Sequence, residues 1–309
     1  MKKRVYGVIG ISSIMANWNA DFSGYPKTTS EGMTFGSDKA LKYPMKKMWD
    51  NEEKKVLYIK SMRISKDGTA LIPRTLKERY EQIFGVDNLA DCKDLKAILT
   101  NLMTAVDVKN FGATFAESGS NISITGAVQI GQGFNKYAGT NPEEQQILSP
   151  FRDANDNKEE ARNTTLGTKI VSNEAHYFYP FVINPLAYKE LIELGVTEGY
   201  TEDDYENFKR TALTSVTSFA TNAKEGCENE FAFFVETALD TYLPNLTEYM
   251  AFEKGEDKNT IKLQCADFLH DFGSNIQKME LYYNPYTTVV EGVARDMKQY
   301  DIRTQKEVD

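Results

Sequence analysis

The spacing of apolar residues predicts an alternation of strands and helices along the chain. Alternating or continuous apolar runs predict strands at residues 4–16, 56–64, 108–115, 121–130, 175–183, 230–237 and 276–283. Helical spacing predicts helices at residues 75–84, 91–106, 185–194 and 202–223. This order indicates an α+β fold of ferredoxin or RRM type, with an antiparallel sheet and large insertions, in a single domain spanning 1–309.

Two polar segments interrupt this pattern. Residues 17–36 follow the first strand and are rich in Gly, Asn, Ser and Thr, which is typical of a long and functional loop. Residues 131–172 are polar and have little periodicity, so they can form no core of their own. We therefore expect residues 131–172 to project from the domain as an insertion.

A short helix running towards Trp49 is predicted, with Asp38 as its cap. Its spacing separates a basic face from an apolar face, formed respectively by Lys39, Lys42 and Lys46 and by Leu41, Met45 and Met48. Pro44 lacks a backbone N–H, so we expect it to kink or end this helix.

The charge of the chain is unevenly distributed. The 309 residues contain 36 basic and 45 acidic side chains, a net charge of −9. Residues 1–79 have a balance of +8, whereas residues 80–309 have a balance of −17. An early basic segment in an acidic chain is a candidate for binding an anion on one face. The hydrophobic content of 41% and charged content of 26% are those of a globular protein.

Cysteine usage and hydropathy indicate a cytoplasmic protein. Cys92, Cys227 and Cys265 are too few and too widely spaced for a disulfide framework or a zinc motif, which favours a reducing compartment. The basic residues 1–4 precede a short apolar run as in a signal peptide, but that run alternates like a core strand. No apolar run reaches the length that a membrane span needs, and no membrane partner is expected.

The motifs of common enzymes and cofactor proteins are missing. The sequence contains no P-loop, dinucleotide-binding fingerprint, nucleophile elbow or zinc protease motif. His176 and His270 are too few for a histidine-rich metal site, and His176 lies in an apolar strand as a core residue would. We therefore predict no catalytic residue, no metal and no cofactor.

The remaining candidate chemistry is phosphate binding. Backbone N–H groups in a glycine-rich loop and lysines on a helix can follow a phosphate backbone without reading sequence. On this basis Lys27, Lys39, Lys42 and Lys46 are predicted near phosphates, with Asn19 and Gly24 shaping the loop. The combination is consistent with a groove for single-stranded nucleic acid.

Five segments in order resemble the backbone subunit of type I CRISPR effector complexes (Cascade), most closely that of subtype I-B. They are NADFSGYPK at 19–27, SDKALKY at 37–43, DVKNFGA at 107–113, TGAVQ at 125–129 and LGTK at 166–169. The sequence departs from that family where Lys27 and Lys109 replace arginines and where Ala127 replaces a proline. Residues 221–226 also lack the arginines that the family tends to carry there.

The resemblance implies a crRNA-binding protein that is not an enzyme. It implies that copies stack head to tail along the guide in a helical filament and that the 131–172 insertion is a thumb that splays a base. Target DNA would be read by pairing with the guide, and other Cascade subunits would be partners. Lys109, Gln129 and Lys169 are added to the predicted RNA-binding residues by this resemblance.

Two other functions remain open from the sequence. In a type III-like backbone subunit, Asp21 of the 17–36 loop would act with a divalent metal to cleave target RNA. Alternatively, the chain could be an acidic protein-interaction module that binds no nucleic acid.

Overall fold

The computed structural model of the protein describes residues 1–148 and 165–308. Its strands are β1 (Arg4–Ala16), β2 (Phe35–Gly36), β3 (Met62–Ile64), β4 (Leu71–Pro73), β5 (Gly112–Glu117), β6 (Ser120–Thr125), β7 (Val128–Ile130), β8 (Gly133–Asn135), β9 (Pro142–Leu148), β10 (Thr165–Ile183), β11 (Cys227–Thr237), β12 (Met250–Glu253), β13 (Asn259–Leu263), β14 (Ile276–Tyr283), β15 (Thr288–Glu291) and β16 (Met297–Asp301).

The helices lie mainly between β2 and β11. The α-helices in the described residues are α1 (Asp38–Asn51), α2 (Leu76–Phe84), α3 (Leu95–Thr104), α4 (Val106–Phe111), α5 (Lys189–Glu193), α6 (Glu202–Thr214) and α7 (Ala266–His270). Short 3₁₀ helices span Leu89–Asp91, Pro185–Tyr188, Leu246–Tyr249 and Gly273–Asn275. Within the same residues, none of these helices is both long enough and apolar enough to cross a membrane.

Nine of the strands in the described residues form one sheet with β1 in its centre. The main order is β16-β14-β11-β1-β10-β8-β2, and β7 and β9 also pair with β10. β1 is antiparallel to both β10 and β11, with Val5 opposite Ile183 on one side and Glu236 on the other. Helices and a large multi-stranded sheet confirm the predicted α+β class.

The sheet is buried on both faces, which explains the apolar run of β1. One core lies between the sheet and the helices and includes Trp49, Tyr80 and Phe208. The other core lies between the sheet and the β12–β13–β15 layer and includes Phe231 and Phe252. A central strand covered on both faces has apolar side chains in both directions, so β1 is buried continuously along most of its length rather than in the alternating pattern that was predicted.

The prediction of one strand over 56–64 is wrong except at its end, where β3 begins at Met62. The backbone N–H groups of Leu57 and Tyr58 donate to the two carboxylate oxygens of Asp107, each at 2.8 Å. Because a side chain from α4 satisfies these donors, the segment needs no neighbouring strand. This carboxylate is fully buried and fixes the 56–58 segment against the helical core.

Two further boundaries differ from the prediction. Residues 108–111 belong to α4, and the predicted strand starts only at Gly112, where φ is +83° and a Cβ would lie 2.2 Å from the Ile124 carbonyl oxygen. α6 ends at Thr214 rather than 223, because the Asn229 side chain accepts the N–H groups of Val216 and Thr217. Each boundary depends on a contact distant in sequence.

Pro44 does not end α1, which continues to Asn51. Pro44 is itself buried, together with Leu41, Met45 and Trp49 on the same side of the helix. Burial of this face stabilises the helix on both sides of the proline and offsets the hydrogen bond that Pro44 cannot donate. The basic face predicted for this helix is therefore continuous.

His176 is buried and belongs to a cluster of charged side chains in the described core. Its Nδ1 lies 2.8 Å from Glu230 Oε2, its Nε2 lies 3.0 Å from Glu174 Oε1, and its ring stacks on Phe252. Burial lowers the pKa of the imidazole, but the two carboxylates outweigh burial, so its pKa lies above the usual value of 6.5. The cluster links β10, β11 and β12.

This arrangement predicts that stability falls as the pH rises. A histidine whose folded pKa is raised contributes stability that is present below its unfolded pKa and is lost as the pH passes the folded pKa. Urea unfolding between about pH 6 and about pH 9 should show this loss. The loss should disappear in His176→Gln and persist in the control His270→Gln, because His270 is exposed. An unchanged pH slope in His176→Gln would contradict the assignment.

Candidate nucleic-acid interface

The basic helix α1 is fixed at its start by the preceding loop. Its N-cap is Ser37 and not Asp38 as predicted, because the Ser37 side chain accepts the Ala40 N–H. The Ser37 backbone N–H donates to Asn19 Oδ1 at 2.8 Å. At the other end, Trp49 Nε1 donates to Thr211 Oγ1 of α6 at 2.8 Å. Asn19, predicted to shape the loop, thus connects the loop to the N-terminus of the basic helix.

The basic face of α1 forms one wall of an open cleft. The cleft has a volume of about 680 Å³, and the hairpin of β5 and β6 forms its opposite wall. Its lining residues are Asp38, Lys39, Lys42, Tyr43, Lys46, Tyr58, Phe111, Gly112, Ala113, Thr114, Ser123 and Ile124. The structure therefore brings three predicted lysines, Lys39, Lys42 and Lys46, into one cleft.

Lys39 and Lys42 differ in exposure and in how closely they pair with Asp38. Lys39 is 89% exposed, with its Nζ 3.8 Å from Asp38 Oδ1. Lys42 donates to Asp38 Oδ2 at 2.9 Å and is mostly buried. Burial raises the pKa of Asp38, but the hydrogen bond and charge of Lys42 outweigh burial and hold the pKa below its usual value. A bound phosphate would compete with Asp38 for Lys42.

Lys46 lies deepest in the cleft. Its Nζ lies 3.3 Å from the Tyr58 carbonyl oxygen and 3.8 Å from Asp107 Oδ2. Burial lowers the pKa of Lys46 below its usual value, although the charge of Asp107 opposes that shift. Because the ammonium is partly desolvated and has few partners, an incoming anion would gain from contact with it.

Aromatic rings form the floor beneath these ammonium groups. Lys42 Nζ lies 5.0 Å from the centre of the Phe111 ring, and Lys46 Nζ lies 5.6 Å from the centre of the Tyr58 ring. The Tyr58 hydroxyl donates to the Thr114 carbonyl at 2.7 Å, and burial raises its pKa to about 12. The rings hold the cations by cation–π contacts and add apolar surface to the cleft.

Three other predicted residues lie around the loop and the base of the β9–β10 hairpin. Gly24 has a φ of +88°, and its carbonyl accepts from Asn17 Nδ2 at 2.8 Å. The same Asn17 amide donates to the Ile170 carbonyl at 3.0 Å, which joins the loop to β10. Lys169 donates to Asn222 Oδ1 at 3.0 Å, and the Lys27 backbone N–H donates to the Asn19 carbonyl.

Lys109 and Gln129 lie outside the cleft. Lys109 Nζ is 2.8 Å from Asp204 Oδ2 in the first turn of α6, and its side chain is largely buried. The Gln129 amide donates to the Gly126 carbonyl at 2.8 Å on β7. For Lys109 the structure offers a local explanation, an ion pair with the N-terminal turn of a neighbouring helix.

Sequence reasoning missed three residues near these sites. Tyr58 and Phe111 form the cleft floor, and Lys224 donates from the 221–226 segment to the backbone carbonyls of Asn17 and Trp18. Burial lowers the pKa of Lys224 below its usual value. Phe111 lies within the 107–113 motif and could have been identified from it. The only sequence feature that marks Tyr58 is its position in an apolar run.

Part of the predicted 131–172 insertion belongs to the large sheet. β8 pairs with β10 and β2, with Phe134 opposite both Phe178 and Phe35. Beyond this region, β9 pairs with the first part of β10, and Pro142 lies opposite Ser172. All seven side chains of β9 are exposed. The rest of the predicted insertion, residues 149–164, lies outside the described residues.

Asp21 has a structural role in the loop. Its Oδ1 accepts the backbone N–H groups of Ser23 at 2.8 Å and Tyr25 at 3.0 Å, an arrangement typical of an Asx turn. Across residues 1–148 and 165–308, no group of three or more potential metal-binding side chains occurs. One oxygen of this carboxylate, Oδ1, is thus engaged by the turn, and the side chain is exposed.

Comparison with known proteins identifies the family. Residues 3–269 match the family described as CRISPR-associated protein Cas7. This chain belongs to the Cas7 family. The prediction of a CRISPR-associated protein is thereby confirmed, and the match covers α1, the cleft and the β9–β10 hairpin. A comparison with curated proteins gave no match.

Two solved structures are similar to this Cas7 protein along most of their length. A chain of a "CRISPR RNA-guided surveillance complex, pre-nicking" has a TM-score of 0.56 and 14% identity, covering 96% of each chain. A chain of a "CRISPR RNA-guided surveillance complex" has a TM-score of 0.46 and 14% identity, covering 97% of this protein and 93% of that chain. The first likeness indicates a shared fold.

Proposed function

We propose that this Cas7 protein is the crRNA-binding backbone subunit of a Cascade surveillance complex and that the α1 cleft holds the ribose-phosphate strand. The observation that carries this proposal is the convergence of Lys39, Lys42 and Lys46 on one cleft with an aromatic floor. Membership of the Cas7 family supports crRNA, target DNA and other Cascade subunits as partners.

The proposal also covers the hairpin, the subtype, the absence of catalysis and the type of fold. The β9–β10 hairpin is the thumb, the subtype is I-B, and the chain has a structural rather than catalytic function. The core is an RRM-like unit in which β11, β1, β10 and β7 lie side by side, with helices in the two long connections. Asn19, Gly24, Lys27 and Lys169 contact the same strand of RNA near the hairpin base.

The chemistry of the cleft favours a phosphate backbone over a specific base. Lys39 and Lys42 offer ammonium groups near the surface, and neither presents the planar pair of donors that arginine uses for base edges. Contacts of this kind position nucleic acid without reading its sequence. A guide whose sequence changes from one complex to the next requires such binding.

Salt-dependent RNA binding tests the proposal. We expect Lys39→Ala/Lys42→Ala to weaken binding of a uridine homopolymer about tenfold or more at moderate salt. The slope of log K against log salt should become shallower by up to about 2, because two phosphate contacts are lost. Fluorescence anisotropy over a salt series measures both quantities.

Lys47→Ala is the matched control. Lys47 lies on the same helix but pairs with Asp50 at 3.0 Å and does not line the cleft. Its removal should leave affinity and slope close to those of the unmodified protein. If the double variant and Lys47→Ala had equal affinity and slope, the cleft would not be the RNA site.

A further inference from the structure

Exposed apolar side chains are concentrated in the segment that leads from β1 to β2. Of the 18 large apolar side chains that are exposed in the described residues, five lie within residues 14–33, namely Ile14, Met15, Phe22, Tyr25 and Met33. Single exposed apolar residues scattered over a surface need no explanation, but several in one segment indicate a binding surface. Phe22 is 113% exposed, so no side chain of the described residues covers its ring.

The loop holds Phe22 at the tip of a closed turn. Asp21 Oδ1 accepts the Tyr25 N–H at 3.0 Å, and the Asp21 N–H donates to the Tyr25 carbonyl at 2.8 Å. Below the tip, the Lys27 N–H donates to the Asn19 carbonyl at 2.9 Å. These bonds fix the backbone on both sides of Phe22, so little backbone freedom is lost when the ring binds a ligand. A ring that is unburied in the fold gains free energy when a ligand covers it.

The tip lies beside the β9–β10 hairpin. Asn17 Nδ2 donates to the Gly24 carbonyl at 2.8 Å and to the Ile170 carbonyl of β10 at 3.0 Å. On the other strand of the hairpin, Glu144 of β9 accepts a hydrogen bond from the Tyr25 hydroxyl. The turn is therefore attached to both strands of the hairpin, and Phe22 is presented from a fixed base.

Lysines accompany the ring on this surface. Lys27 closes the turn, and Lys169 directly precedes Ile170, whose carbonyl holds the loop. Surfaces that bind single-stranded nucleic acid combine basic side chains for the phosphates with aromatic rings for the bases. We propose that Phe22 stacks on an unpaired base of the RNA strand that follows the 17–36 loop. The proposal rests on the proposed function and adds a base contact to it.

The surroundings of the tip favour the base side of the strand. Asp21 carries a negative charge next to Phe22 and would repel a phosphate group there. An aromatic ring can stack on the π-face of any base, so this contact tolerates a change of guide sequence. A protein partner fits less well, because one ring among polar neighbours offers far less area than a stable protein interface buries.

Removal of the ring tests the contact. Phe22→Ala should weaken binding of a short adenosine homopolymer about fivefold or more, measured by fluorescence anisotropy. The slope of log K against log salt should stay unchanged, because no phosphate contact is lost. Phe22→Trp should keep the affinity, whereas Phe22→Leu should not, since leucine is apolar but has no planar ring to stack. Equal affinity of Phe22→Ala and the unmodified protein would overturn the proposal.

Tyr286→Ala is the matched control. Tyr286 is another exposed aromatic side chain, but it packs against Arg303 outside the 17–36 loop and does not line the α1 cleft. Its removal should leave the affinity for RNA unchanged. Phe22 is exposed, so Phe22→Ala should retain the fold, as checked by circular dichroism. If Tyr286→Ala and Phe22→Ala weakened binding equally, the effect would not be specific to the tip, and the proposal would fail.

Phe22→Trp also provides a direct measurement of stacking. Trp18 and Trp49 are buried, so the indole introduced at the tip is the one that a ligand can reach. An adenosine homopolymer should quench its fluorescence, because a stacked base quenches an indole. An abasic sugar-phosphate strand of the same length has the same charge and should quench it much less. Equal quenching by the two strands would show that no base stacks on the ring.

Comparison with Lys39→Ala/Lys42→Ala separates this proposal from the proposed function. If that double variant binds RNA weakly and Phe22→Ala binds normally, the cleft stands and the stacking proposal fails. If Phe22→Ala binds weakly with an unchanged salt slope and the double variant binds normally, the base contact stands and the α1 cleft is not the RNA site. If Phe22→Ala binds weakly with a shallower slope, Phe22 acts through a phosphate contact, which would also overturn stacking.

Discussion

Replacing Asp107 with alanine is expected to reduce the free energy of unfolding by about 3 kcal/mol or more. The buried Asp107 carboxylate accepts the backbone N–H groups of Leu57 and Tyr58, each at 2.8 Å. Alanine would leave two donors without partners, one of them in the core, and each hydrogen bond to a charged group contributes about 1.5–3 kcal/mol. Urea unfolding should show a lower midpoint at an unchanged slope.

Two other substitutions define the cause of this loss. Asp107→Asn keeps one accepting oxygen and should lose about half as much stability. Asp87→Ala removes an exposed carboxylate near α2 and should change stability by less than about 0.5 kcal/mol. If Asp107→Ala were no less stable than Asp87→Ala, the 56–58 segment would not depend on this carboxylate.

Replacing Lys209 with methionine is expected to cost about 3 kcal/mol. Lys209 donates to Glu280, and both side chains are almost fully buried. The Lys209 ammonium also lies 5.4 Å from the ring centres of Phe234 and Tyr282. Methionine fits these aromatic surroundings, so the main loss is that of one positive charge beside Glu280. Lys278, 3.0 Å from Glu280, and the Tyr282 hydroxyl, which donates to Glu280 at 3.3 Å, are then its remaining partners among the described residues.

The double variant Lys209→Met/Glu280→Leu is the informative comparison. Removing both charges leaves no buried carboxylate without its main partner, so the double variant should be more stable than Lys209→Met by at least about 1 kcal/mol. Thermal and urea unfolding measure the difference. A double variant less stable than Lys209→Met would show that packing around the pair, and not the unpaired charge, causes the loss.

The elements that the sequence predicted most accurately have local causes. β1 and β14 start and end as predicted, because the pattern of apolar residues within each segment indicates a strand without reference to a distant partner. α2 begins one residue after the predicted start, with Thr75 as its N-cap, since Thr75 and Glu78 form a capping box within four residues. The segment at 56–61 could not be predicted, because its donors are satisfied by Asp107, about 50 positions away in the sequence.

The candidate site was predictable in part for the same reason. Helical spacing placed Lys39, Lys42 and Lys46 on one face, and the structure places them in one cleft. Residue spacing does not reveal which acidic side chain a lysine pairs with. For this reason the position of Lys109, outside the cleft and paired with Asp204 of α6, could not be predicted. The opposite wall of the cleft comes from β5 and β6, and Tyr58 and Phe111 meet only after the chain has folded.

Apart from Lys109, the predicted lysines therefore form two groups. Lys39, Lys42 and Lys46 line the cleft, whereas Lys169 lies at the base of the β9–β10 hairpin beside the 17–36 loop. The described residues of the hairpin do not line the cleft itself. The 17–36 loop joins the two groups, because Asn19 binds the N-cap of α1 and Asn17 binds β10. An RNA strand that followed this loop would pass from one group to the other.

Ultraviolet crosslinking of the protein to a uridine homopolymer, with the crosslinked peptides identified by mass spectrometry, tests the central claim most directly. The α1 cleft predicts crosslinks to Tyr43, Tyr58 or Phe111, and predicts that Lys39→Ala/Lys42→Ala reduces their yield. Crosslinks confined to peptides that do not line the cleft, such as those of β14 and β16, would contradict the account.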